Sequence, residues 1–139
     1  MGNFQSIKKA NFEDVQYALA NRDTNLIITT MPAHETCLIH GTVPFSAEEE
    51  LINKLISKKK KDVLIIVYGR NANDDTVASK YKQLQGLGFY NTSVYLGGMF
   101  EWLLLQEVYG SVNFQTTTKE LDILKYKPAK TIGAKLLTY

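Results

Sequence analysis

The stretch that most limits what this chain can fold into is "VLIIVY", residues 63–68, an unbroken apolar run entered from "KKKKD" and left through the polar turn "GRNANDD". A strand with one wet face alternates apolar and polar residues, and this one does not. It reads as a strand covered on both sides, near the centre of a parallel sheet. Two further runs, "NLIITT" and "TSVYLGG", are strands of the same kind. Between them lie helical spacings. In "NFEDVQYALAN", Phe12, Val15 and Leu19 share a face. In "SAEEELINKLISKKKK", Ser46 and Glu49 make an S-x-x-E capping box ahead of Leu51, Leu55 and Ile56. After the apolar run, Asp74 or Asp75 caps a helix carrying Val77, Tyr81 and Leu84, ended by Gly86 or Gly88. "MFEWLLLQEVYG" is a last helix, closed by Gly110. Strand and helix in alternation predict a small α/β domain with a parallel sheet between helical layers.

With 139 residues, 45% of them hydrophobic and 22% charged, the chain suits one folded domain with its own core. The single cysteine, Cys37, excludes an intrachain disulfide and suits a reducing compartment. A net charge of +2 gives no ground for nucleic-acid binding, and no apolar run approaches the ~20 residues of a membrane span. The aromatic residues Tyr81, Tyr90, Tyr95 and Trp102 read as core and rim packing. The Lys58–Lys61 run reads first as a solvated helix end that complements the helix dipole.

The opening "MGNFQSIKK" fits the N-myristoylation pattern M-G-x-x-x-[ST], with Gly2 as acceptor and Ser6 in register. One myristoyl chain holds a membrane only marginally, so a second attraction is required. Lys8 and Lys9, with the Lys58–Lys61 run, would supply it against anionic lipid. The expected location is the cytoplasm, peripheral on the cytosolic face of a membrane, with residues 1–9 as the lipidated segment.

Across roughly residues 5–110 the sequence resembles the rhodanese-like family, whose fold is shared by sulfurtransferases and Cdc25-type phosphatases. "NLIITTMPAHE" stands where that family has a strand ending in Asp-x-Arg, and "LIHGTVPF" resembles its H-I-P-G-A-x-x-x-P segment. "VLIIVYGRNANDD" matches the strand and C-R-x-G-x-R loop. "GLGFYNTSVYLGGMFEW" is the most specific match, with Leu87, Gly88, Phe89, Gly97, Gly98 and Trp102 in register. The resemblance implies a three-layer α/β/α sandwich around a mostly parallel five-stranded sheet, four strands of which are visible in this chain. It sets residues 1–110 apart from an extension, 111–139. The extension has a T-x-x-E cap at Thr117 and Glu120 and apolar residues Phe114, Leu121, Ile123, Leu124, Leu136 and Leu137, so it is expected to pack on the domain or, as a homodimer, on a second copy.

The departures from the family bear on function. Sulfurtransferases hold a persulfide on a cysteine at the first loop position, and here that position is Gly69. Such a thiolate relies on surrounding backbone N–H groups and a helix dipole to lower its pKa, and glycine has no atom to carry sulfur or phosphate. The loop Gly69, Arg70, Asn71, Ala72, Asn73, Asp74, Asp75 keeps an arginine second but ends in carboxylates, which repel anions. Thr29, Thr30 and Met31 replace the Asp-x-Arg region, and Leu38 stands where the family has histidine. Gly69 is expected to serve the turn through unusual backbone angles. Cys37, between His34 and His40, makes an H-x-x-C-x-x-H spacing, but no further His or Cys exists to complete a zinc site, so an inert buried thiol is expected and neither metal nor cofactor. The reading is a catalytically inactive rhodanese-like domain that binds a protein partner. The alternatives are a sulfurtransferase or phosphatase-like enzyme using Cys37 or a partner's thiol, and a structural membrane-associated component.

Overall fold

The computed structural model describes residues 7–133. Its centre is a parallel sheet of β1 (Lys9–Ala10), β2 (Asn25–Thr29), β3 (Leu64–Tyr68) and β4 (Thr92–Tyr95), in the order β1-β4-β3-β2. The helices are α1 (Phe12–Ala20), α2 (Phe45–Ser57), α3 (Thr76–Gly86) and α4 (Gly98–Tyr109), followed by a short 3₁₀ helix at Ile123–Tyr126. Among the described residues no helix is long and apolar enough to cross a membrane.

The apolar run lies inside the sheet, between β4 and β2. Its side chains alternate between two cores. Ile66 and Tyr68 join Val15, Met99, Trp102 and Phe114 on the face covered by α1, α4 and the C-terminal segment. Ile65 and Val67 join Ile52, Val77, Leu84 and Phe89 on the face covered by α2 and α3. This two-sided burial is why no polar residue interrupts the run.

Among the described residues four strands form where five were expected. The segment that would supply the other touches β2 only as an isolated bridge, Ile27 to Thr42, with Val43 N donating to Ile27 O at 2.8 Å. Pro44 follows at once; having no N–H, it cannot extend the ladder, and it opens α2 instead. That early start also corrects the predicted capping box: Ser46 falls inside α2, and no side chain caps it. The capping box in this fold is on α1, where Asn11 Oδ1 accepts from Asp14 N at 3.0 Å and Asp14 Oδ2 from Asn11 N at 2.9 Å.

The second predicted cap is also absent. The Thr117 hydroxyl donates to Thr36 O, Glu120 pairs with Lys125, and the only turn of helix beyond α4 among the described residues lies further on. Residues 115–118 instead run antiparallel to 36–40: His40 N donates to Gln115 O at 3.0 Å, and Thr117 N to Leu38 O at 2.8 Å. Trp102 Nε1 reaches Gln115 O at 3.0 Å, and its ring stands edge-on to Phe114, centroids 5.0 Å apart. The C-terminal segment is thereby part of the core.

Candidate functional site

In a parallel α/β sheet, ligands are taken up beyond the carboxyl ends of the strands, where the strand-to-helix loops meet. The loop after β3, residues 69–75, occupies that place. Its backbone is held from below by α4. Met99 N donates to Gly69 O and Phe100 N to Arg70 O, both at 2.9 Å. Gly98 makes this approach feasible: its φ is +63°, and a Cβ there would stand 3.0 Å from Arg70 C and nearer still to Gly69 O.

Gly69 is buried, and its φ is not among the positive values, so the expectation of unusual backbone angles does not hold. The reason for glycine is space. A Cβ at 69 would lie 2.7 Å from Val77 Cγ2 and 2.8 Å from Asp74 Cγ, and would overlap Asp74 Oδ2. The Asp74 carboxylate is therefore folded in against position 69. Its Oδ2 accepts from Arg70 N at 2.9 Å, and its Oδ1 accepts from Thr76 N at 3.1 Å and from the Thr76 hydroxyl at 2.5 Å. The sequence suggested a carboxylate that repels anions from a waiting cradle. What the fold has is a carboxylate bound by the cradle's own N–H groups, including those at the start of α3. Other loop amides are satisfied internally as well: Asn73 N by Asn71 Oδ1, Asp74 N by Asn71 O, Val77 N by Asp74 O. Asp75 is the cap residue of α3 by position, but the capping oxygen belongs to Asp74.

Two loop side chains, Arg70 and Asn71, turn to the C-terminal segment. The Arg70 guanidinium donates to Lys125 O and lies 5.1 Å from the centroid of the Tyr126 ring. Asn71 Nδ2 donates to Tyr126 O at 2.8 Å. Tyr126 is fully buried, and its hydroxyl donates to Glu35 Oε2 at 2.7 Å. Burial, followed by that carboxylate, pushes the Tyr126 hydroxyl well above its ordinary range. Lys125 also pairs with Glu120 at 2.7 Å, a contact that lowers the Glu120 carboxyl and raises the Lys125 ammonium. The 3₁₀ helix thus lies over residues 70 and 71 as a fixed cover.

The other predicted residues are dispersed. Cys37 is buried, its Sγ 3.4 Å from Thr118 O, and desolvation pushes the thiol up, away from the thiolate. His34 and His40 are both exposed, and among the described residues no three of His, Cys, Asp and Glu stand together as a metal group. Leu38 lies in the strand-like pairing with Thr117, and Thr30 reaches the loop only through its hydroxyl, 2.8 Å from that of Thr76. Gly2 lies outside the described residues. Sequence reasoning missed Thr76, Glu35 and Tyr126; the available signal was Asp74 five residues beyond a glycine that replaces a side chain.

Comparison with known proteins agrees with this architecture. The Alr3790 protein from Anabaena sp. superposes with a TM-score of 0.53 at 22% identity, over 73% of this chain and 88% of that one. The BH2092 protein from Bacillus halodurans gives 0.56 at 16% identity, over 86% and 90%. At such identities the likeness concerns the fold alone. Among curated proteins nothing matches. The family model described as "Rhodanese-like domain" matches residues 12–105, which span both strands beside β3, the loop and most of α4. With more than half of its length covered by that model, this chain belongs to the rhodanese-like domain family.

Proposed function

We propose that this domain is a catalytically inactive member of its family that acts by binding a protein partner, and that N-myristoylation at Gly2 holds it to the cytosolic face of a membrane. The observation that carries the inactive reading is the Asp74 carboxylate, which fills the volume beside Gly69 and takes the Arg70 and Thr76 N–H groups. A sulfur carrier needs a side chain at that point and amides open to it; this loop has no side chain at Gly69, and Asp74 takes the Arg70 and Thr76 amides beside it. Tyr126 and Lys125 cover the loop besides. Cys37 is a poor substitute nucleophile, because it is buried and its thiol is raised.

The binding reading is supported by what the covered loop leaves outside. Leu121 and Leu124, on the covering segment, are exposed apolar side chains, and Phe45 is another at the start of α2. Incubation with thiosulfate and cyanide tests inactivity. The expected result is no thiocyanate above the uncatalysed background. Release that is lost in Cys37→Ser would establish the enzyme reading instead. Intact mass of the protein made in eukaryotic cells, beside a Gly2→Ala variant, tests acylation: the expected outcome is a myristoyl increment on the first and none on the second.

A further inference from the structure

Because all four strands are parallel, the chain enters every strand at one end of the sheet, and the loop of residues 69–75 lies at the other. The entry end carries a concentration of cations. Lys8, Lys59 and Lys61 border one open depression, with Tyr90 on its rim and Asp62 as its single carboxylate among the described residues. Lys8 Nζ donates to Tyr90 O at 3.1 Å, and the aliphatic stem of Lys61 runs past Gly88, its Cδ 3.0 Å from where a Cβ would stand. None of these lysines has a carboxylate within ion-pair distance among the described residues, unlike Lys80 and Lys125.

The helix dipole accounts for only part of this. Lys58 caps α2, so a positive charge there is favourable. Lys8 stands ahead of β1 and away from any helix end in sequence, whereas Lys61, ahead of β3, lays its side chain against Gly88, just past the C-terminal end of α3, where the dipole also favours a cation. Lys59 has a φ of +57°, in the left-handed region where glycine usually ends a helix. A lysine stands there against the backbone preference. Tyr90 is 68% exposed, an amphipathic ring of the kind that sits at a lipid–water boundary.

We infer that this entry end of the sheet, centred on Lys8, Lys59, Lys61 and Tyr90, is a docking surface for an anionic lipid bilayer. The inference rests on the membrane part of the functional reading and deepens it, since it fixes the orientation: the loop, Tyr126, Leu121 and Leu124 point away from the bilayer. Gly2 precedes Lys8 by six residues, a reach of about 20 Å when extended, so an acyl chain there and the lysines can engage one surface together. Each lysine contributes about fivefold in affinity at such a surface.

The test is sedimentation of the unacylated full chain with phosphatidylcholine vesicles, with and without phosphatidylserine, at low and high salt. Binding is expected only with phosphatidylserine, and weaker at high salt. Lys59→Gly and Lys61→Gln should each lower it about fivefold, and together more. Lys59→Gly also relieves the left-handed residue, so it should keep or raise the melting temperature while binding falls. Lys127→Gln, beside Tyr126 at the other end, should leave binding unchanged. Equal binding to neutral vesicles, no binding, or an equal loss in Lys127→Gln overturns the inference, as does preferential retention of an RNA oligonucleotide. Absence of the myristoyl increment with vesicle binding intact removes the tether and leaves the docking surface standing.

Discussion

A methyl group at position 69 has nowhere to go while Asp74 keeps its place. Gly69→Ala is expected to destabilise the protein by about 1–3 kcal/mol, the usual cost of overpacking a tight site. Asp74→Ala should cost about 1–2 kcal/mol through the orphaned Arg70 and Thr76 N–H groups. The two changes act on one contact, so the double variant should be more stable than their sum implies, and urea unfolding of the three proteins measures that coupling. The neighbouring residue supplies a pH signature. Tyr68 is buried, with its hydroxyl 2.8 Å from that of Thr42 and accepting from Ile39 N at 3.1 Å, and desolvation pushes it up to about 12. A hydroxyl raised in the folded state contributes stability that is complete below the unfolded value near 10 and is lost as pH rises towards about 12. The loss is on the order of 2–3 kcal/mol for Tyr68. Tyr95 and Tyr126 are raised too and act with the same sign. Stability measured by denaturant between neutral and strongly alkaline pH should fall in that window, and less steeply in Tyr68→Phe.

Among the elements, the 3₁₀ helix decides whether the loop is covered. Its anchor is Tyr126, buried between Arg70 and Glu35. Tyr126→Phe removes one hydrogen bond and should cost about 1 kcal/mol, whereas Tyr126→Ala should cost about 3–5 kcal/mol and open the loop to solvent. Thermal melts, with hydrogen exchange at residues 69–75, separate the two effects. The elements also show what a sequence discloses. The strand at 64–68 was legible because burial on both faces leaves an unbroken apolar run, and α4 because Gly110 ends it. Two-residue β1 was not, since its place is set by pairing with β4 rather than by its own side chains. The start of α2 was misplaced because Pro44 opened the helix before the Ser46 signal. The site was half legible: the missing thiol is visible at Gly69, but like-charge reasoning treats Asp74 as a group facing a ligand. Only the fold brings its oxygens onto the amides of residues 70 and 76.

For the molecule as a whole, the parallel sheet separates two ends with different chemistry: lysines and Tyr90 where the strands begin, and a self-filled, covered loop where they finish. The C-terminal segment joins the second end to the core through Phe114, the Trp102–Gln115 hydrogen bond and Tyr126. Removing residues 111–139 should therefore lower the melting temperature markedly and leave the Trp102 N–H without its acceptor; an unchanged melting curve would contradict this packing. The central claim is that no atom of this chain is placed to carry sulfur. Its most direct test is the intact mass of the native protein after exposure to thiosulfate, with Cys37→Ser alongside. The account predicts the unmodified mass for both, and a gain of one sulfur on the native chain that is absent from Cys37→Ser would contradict it.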